Sequence, residues 1–148
     1  MSQCLNTFLP NRIIVLLHLL LIPSYMSSQN EDVLDSLQNL IRKEVTEGTN
    51  TFLPVALAYD SIAMLSGDTL KMGKGKTFIG MYHYYYGNHR QAINYYLEAL
   101  PYFTAILDTY YIAMMHNNIG AAYEYRKEPE NSITYYQSAL RYFTMLQD

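Results

Sequence analysis

The chain contains no tryptophan and a single cysteine, Cys4. One thiol cannot build an internal disulfide framework, and it leaves no second thiolate for a cysteine-based metal site. Charge of either sign is also scarce: ten basic residues stand against thirteen acidic ones, a net −3 over 148 residues. The acidic excess lies in residues 1–72, where four basic side chains face seven acidic ones, and residues 73–148 balance at six and six. There is neither a basic stripe to follow a nucleic-acid backbone nor an acidic tail. Long apolar runs are missing as well. The most apolar stretch, IIVLLHLLLI at residues 13–22, has ten residues, about half of the ~20 that a membrane-spanning helix needs.

Catalytic and metal-binding motifs are equally thin. Gly75-Lys76-Thr77 has the ending of a phosphate-binding loop, but the glycine required five residues earlier is Leu70, and no strand precedes it. The segment reads as a loop entering a helix, with Lys74 and Lys76 solvated or available to a peptide carboxylate. Among the four histidines, His18, His83, His89 and His116, no two have the i, i+4 spacing that sets two imidazoles on one helix face, so they read as structural. No serine lies in a nucleophile elbow. Glu124, Glu128 and Glu130 read as a solvated face near a turn. No catalytic residue, cofactor or metal is assigned.

What the chain does have is an internal repeat. Residues 92–106, AINYYLEALPYFTAI, return forty residues later as residues 132–146, SITYYQSALRYFTML, with eight of fifteen positions identical. Ile79-Gly80 and Ile119-Gly120 form a second matched pair at the same separation. A fixed period of this size marks stacked supersecondary units, none of which can bury its apolar face alone. Ile93, Tyr96, Leu97, Leu100 and Phe103 fall on one helical stripe, repeated by Ile133, Tyr136, Leu140 and Phe143. The stretches Thr77–Tyr86 and Ile112–Tyr125 read as partner helices, with Gly87-Asn88 as a turn. Gly80, Ala92 and Ala99, with Gly120 and Ala139 in the second unit, mark expected close helix approaches.

The unit resembles the tetratricopeptide repeat. Ile79-Gly80, Gly87, Ala92, Tyr96 and Ala99 match that family's apolar-Gly, turn-Gly, Ala, aromatic and Ala positions. The second copy keeps Ile119-Gly120, Tyr123, Tyr136 and Ala139 but has Lys127 for the turn glycine and Ser132 for the alanine. Thr104 and Thr144 stand where the family often has proline, and their presence lets the second helix run on, as a period of 40 rather than ~34 requires. The wording FIGMYHYY, AINYYLEAL and HNNIGAAYEY resembles the Rap-type regulators of Gram-positive bacteria over residues 77–145. That resemblance implies a cytoplasmic quorum-sensing receptor for a short signalling peptide. It also implies an N-terminal helical bundle that engages a response regulator or DNA-binding partner. The chain would be a truncated or divergent relative.

The first half does not carry the repeat. Ser28 and Glu31 have capping-box spacing ahead of the helical face Val33, Leu37, Leu40, Ile41 and Val45, and Gly48 is a natural stop. A second helix is expected from Pro54 to Leu65, closed by Ser66-Gly67. The expected architecture is all-α: a tandem helix-turn-helix, tetratricopeptide-like solenoid with a 40-residue period, preceded by a helical hairpin. Residues 1–27 form an apolar leader, 28–72 the hairpin, and 73–148 two repeats, divided as 73–112 and 113–148. Arg12 before the apolar run and Ser24, Ser27 and Ser28 after it also allow a secretory signal or membrane-attached leader. A buried or frayed helix and a later translation start are the other readings of this segment.

In tetratricopeptide proteins the first helix of each unit lines the concave surface. The resemblance maps the inward positions to Thr77, Phe78, Met81, Tyr84 and Tyr85, and to Met114, Asn117, Asn118, Ala121 and Tyr125. From these, Phe78, Met81, Tyr84, Tyr85, Asn117, Asn118 and Tyr125 are the expected peptide-binding residues. Adjacent asparagines in mid-helix cost a few tenths of a kcal/mol each, which a ligand contact would explain, and an amide offers both a donor and an acceptor to a peptide backbone. The expected function is a non-enzymatic peptide- or protein-binding module. The alternatives are a Rap-type aspartyl-phosphate phosphatase and a secreted or surface docking solenoid. The last helix, with Ile133, Tyr136, Ala139, Leu140, Phe143 and Met145, is an expected self-association face.

Overall fold

The computed structural model describes the backbone of residues 11–49 and 51–147 and the side chains of residues 29–49 and 51–147. Six helices follow one another: α1 (Asn11–Glu47), α2 (Leu53–Ser66), α3 (Thr69–Tyr85), α4 (His89–Ala105), α5 (Thr109–Tyr125) and α6 (Pro129–Met145). Among the described residues there is no strand, so the fold is all-α. Residues 1–10 of the expected leader, with Cys4, and the side chains of residues 11–28, with His18, lie outside the described residues. Ser28 is not a helix start. It lies within α1, whose 37 residues begin at Asn11, so the chain is already helical on its N-terminal side and needs no cap there.

Helices α3 to α6 have 17 residues each and begin at Thr69, His89, Thr109 and Pro129, twenty residues apart. The first of them starts eight residues earlier than the Thr77 expected from sequence. Its true start is set by Asp68, whose carboxylate accepts a hydrogen bond from the Lys71 amide at 3.0 Å, and Asp108 does the same for Tyr111 in α5 at 3.0 Å. A side-chain oxygen at this position satisfies one of the amides that a helix N-terminus leaves unpaired.

Each turn between consecutive helices of the chain carries a residue at positive φ: Gly48 at 68°, Gly67 at 69°, Gly87 at 75°, Leu107 at 54° and Lys127 at 60°. The Gly87, Leu107 and Lys127 turns close in the same way. In the last of them the Lys127 amide bonds the Glu124 carbonyl at 2.9 Å and the Glu128 amide bonds the Tyr123 carbonyl at 3.0 Å, the paired pattern that satisfies helix-end carbonyls. Leu107 and Lys127 therefore occupy a left-handed conformation that costs a residue with a Cβ about 1–2 kcal/mol. Leu107 is 81% exposed and buries little in return. Leu107→Gly and Lys127→Gly are each expected to stabilise the protein by about 0.5–1 kcal/mol, the strain relieved less the added entropy of the unfolded chain. Urea denaturation of the two variants measures this, and a loss of stability would mean that these side chains hold their turns.

Consecutive helices pack on one another along the chain, from α1 on α2 to α5 on α6, as in helical-repeat proteins. One buried cluster joins Leu34 and Ile41 of α1 to Phe52, Ala56, Tyr59 and Ala63 around α2 and to Ile79 of α3. The other joins Ala92, Ile93, Tyr96, Ala99 and Phe103 of α4 to Ile112, Met115, Ile119 and Ala122 of α5. Met81 packs against both, so the two are continuous. The small residues lie at close approaches. A Cβ on Gly80 would come within 2.7 Å of the Tyr96 ring and one on Gly120 within 2.9 Å of the Tyr136 ring, while Ala92, Ala99 and Ala139 are buried.

The last helix divides differently from expectation. Tyr136 and Ala139 turn toward α5, and half-buried Phe143 sets its ring edge-on to Tyr110 with centroids 6.4 Å apart. Ile133, Leu140 and Met145 remain exposed, so the open face consists of these three and not of the six residues read from sequence.

Candidate functional site

The odd-numbered helices share one side of the molecule, and two adjoining recesses run along it. The first, of about 290 Å³, is walled by Gln38, Ile41, Arg42, Val45 and Thr46 of α1, by Lys74, Thr77, Phe78 and Met81 of α3, and by Tyr110, Tyr111 and Met114 of α5. The second, of about 280 Å³, is formed by Met81, Tyr84 and Tyr85 of α3, Tyr96 of α4, and Met114, Asn117, Asn118 and Ala121 of α5. Met81 and Met114 border both, which makes them one groove with a thioether floor. Such a floor is flexible and polarizable, and adapts to varied apolar ligand groups.

Of the residues expected from sequence, Met81, Tyr84, Tyr85, Asn117 and Asn118 meet in the second recess. Phe78 lines the first, while also setting its ring edge-on to Tyr59 of α2 at 5.0 Å, so it is partly a core residue. Tyr125 stands outside both recesses. Its ring stacks on His89 with centroids 4.9 Å apart and meets the edge of Tyr84 at 5.5 Å. Burial, and then the neighbouring Tyr125, push the Tyr84 hydroxyl up to about 12, so it remains a neutral donor at physiological pH. The side chains of Asn117 and Asn118 make no hydrogen bond to another described residue.

The α1 wall of the groove was not legible in sequence, because the first hairpin carries no repeat and no residue of it is among those expected to bind. The lysines of the Gly-Lys-Gly-Lys segment were also misplaced. They lie in the interior of α3, not in a loop. Lys76 is not solvated: its ammonium donates to the Asp60 carboxylate at 2.8 Å, with both side chains mostly buried. Lys74 points into the groove, its ammonium 5.7 Å from the centre of the Tyr111 ring and donating to the side-chain amide oxygen of Gln38 at 3.5 Å. Among the described residues no carboxylate lies within ion-pair distance of Lys74 or Arg42, and no carboxylate lines either recess.

His83, His89, His116, Glu124 and Glu128 all lie outside the two recesses. His83 stacks on Tyr95, His89 on Tyr125 and His116 on Tyr142. Burial holds His83 below its ordinary pKa, and burial with the nearby Arg141 charge does the same for His116, so both serve as neutral aromatic plates. Among the described residues no group of three His, Cys, Asp or Glu is placed to hold a metal ion. Nor is any helix among them long and apolar enough to cross a membrane. The glutamates are not simply solvated: Glu124 accepts a hydrogen bond from the Tyr136 hydroxyl at 2.7 Å, and Glu128 accepts from Arg126 and Asn131.

Comparison with known proteins gives no match for this chain, whether to a family model, to a curated protein or to a solved structure. The groove's chemistry is therefore argued from its own residues.

Proposed function

We propose that the chain is a tetratricopeptide-like, Rap-related binding module that holds a short peptide along the α1–α3–α5 groove. Its ligand carries a carboxylate, from an acidic side chain or from the peptide's C-terminus. The observation that carries this reading is Lys74. A half-buried ammonium above an aromatic ring in an apolar groove, with no carboxylate partner of its own, is an anion site waiting for charge from outside the fold. Arg42 on the facing wall supplies a second cation. Further along, Asn117 and Asn118 offer unpaired amides to the backbone of an extended segment, and Met81, Met114, Phe78 and the tyrosines take its apolar side chains.

Calorimetry of the full chain against pooled pentapeptides, with free and amidated C-termini and with and without Asp or Glu, tests the reading. Binding is expected only from carboxylate-bearing peptides, and Lys74→Glu is expected to weaken it at least tenfold. Asn118→Ala is expected to cost about 1–2 kcal/mol of affinity, because a peptide amide is left unpaired in the complex, while the melting temperature stays unchanged. Equal affinity of the Lys74→Glu variant for the selected peptide would overturn the assignment of the groove.

A further inference from the structure

The two repeats differ in the fate of one hydroxyl. Tyr96 of α4 and Tyr136 of α6 stand forty residues apart, and each lays its ring over a glycine of the helix before it, Gly80 and Gly120 respectively. In the second copy the Tyr136 hydroxyl donates to the Glu124 carboxylate at 2.7 Å. The matching position in the first copy is Tyr84, whose ring turns instead to Tyr125, with centroids 5.5 Å apart. Tyr96 therefore lacks the acceptor that Tyr136 has. Tyr96 is 2% exposed, and among the described residues its hydroxyl has no hydrogen-bond partner. A buried donor without an acceptor is rare in a folded protein. The hydroxyl is not sealed in the core, because Tyr96 forms part of the wall of the second recess, with Met81, Met114 and Asn118. Burial pushes this phenol well above its ordinary pKa, so it stays protonated and able to donate at any physiological pH.

We infer that the second recess is a side-chain pocket for a carboxamide, so that the bound peptide carries a glutamine or asparagine there; this rests on the peptide-binding reading of the groove. The carboxamide oxygen accepts from the Tyr96 hydroxyl and its NH2 donates to the Asn118 Oδ1, which leaves the Asn118 Nδ2 for the peptide backbone. Charge excludes the acidic relatives. No side chain that is charged at neutral pH lines this recess, so a glutamate or aspartate would lose its hydration without gaining a partner. Hydrogen bonding excludes the apolar ones. A space of about 280 Å³ has room for methionine or leucine, but either would leave the Tyr96 hydroxyl and the Asn118 oxygen unpaired. A site built to bond a polar group discriminates strongly against an analogue that lacks it. The groove thus reads two features of one ligand, a carboxylate at Lys74 and a carboxamide further along. From Lys74 to Met81 and Tyr84, α3 rises about 10–15 Å, which an extended peptide covers in about three to five residues.

The test is calorimetry of the full chain with pentapeptide pools that have free C-termini and one position, moved along the peptide, fixed as Gln, Asn, Glu or Met. At one position the Gln or Asn pool is expected to bind at least tenfold tighter than the Glu and Met pools. Tyr96→Phe is expected to bring the Gln and Met pools to within about twofold of each other, because only the hydroxyl is removed. The requirement for a carboxylate, set at Lys74, should persist in that variant. Because the hydroxyl has no partner within the fold, Tyr96→Phe should also leave the melting temperature unchanged. A lower melting temperature would show the hydroxyl bonded inside the core and overturn the assignment. Gln and Met pools of equal affinity at every position would overturn it as well, while carboxylate-dependent binding would leave the groove itself standing. Failure of every pool to bind would end the peptide reading and this pocket with it.

Discussion

Phe103→Ala is expected to lower the unfolding free energy by about 3–5 kcal/mol, the range for emptying a fully buried aromatic site. The phenyl ring of Phe103 is 0% exposed. It stacks on Tyr111 of α5 with centroids 4.7 Å apart and 12° between planes, and it sits against α3 where Gly73 leaves room, since a Cβ there would come within 2.8 Å of the ring. One side chain of α4 thus ties together the helices before and after it, and these helices cannot close over the void without breaking their other contacts. In a protein of this size the melting temperature should fall by roughly 10 °C. Phe143 supplies the comparison. It occupies the same place in the second copy but is only half-buried, and no described helix packs on the far side of α6, so Phe143→Ala is expected to cost about 1–2 kcal/mol. Thermal or urea melts of the pair separate the contribution of the following helix from that of the residue itself. Equal losses would mean that the cover over α4 adds nothing.

The same contrast explains what sequence revealed and what it hid. Ile93, Tyr96, Ala99 and Phe103 are legible as one face because a helical stripe repeated forty residues on has no other simple cause. Gly67 and Gly87 announce their turns through a conformation that favours glycine. Leu107 and Lys127 adopt that conformation without the residue that signals it, held there by the caps and packing on either side. With Gly48 closing α1, propensity therefore finds three of the five turns, and spacing finds the others. The binding groove divides in the same way. Asn117, Asn118, Tyr84 and Tyr85 were within reach because they belong to the repeated units. Arg42, Gln38 and the α1 wall belong to no repeat, and only the three-dimensional path of the chain brings them beside Lys74.

Gly75→Val is expected to destabilise the protein by about 3 kcal/mol, at the upper end for overpacking a rigid contact. Two glycines and two lysines within Gly73–Lys76 read as a loop, because glycine in a helix interior costs about 1 kcal/mol relative to alanine. The helix passes through them regardless, since α2 and α3 approach so closely at Gly75 that a Cβ would stand 2.8 Å from the Asp60 Cα and 2.7 Å from its Oδ1. The first of these atoms is backbone, so no rotamer change can relieve the overlap and the helices must separate. Separation would also stretch the adjacent Lys76–Asp60 ion pair, now 2.8 Å long, and open the edge-on contact of Tyr59 with Phe78 at 5.0 Å. Met115 stands forty residues on, fully buried, so the α4–α5 contact has room for a long side chain where the α2–α3 contact has none. Gly75→Ala gives the sharper test of sign. Helix propensity alone predicts a gain of up to about 1 kcal/mol, whereas the contact with Asp60 predicts a net loss. Chemical denaturation of both variants decides the matter, and a stabilised Gly75→Ala protein would show that α2 and α3 can move apart without loss.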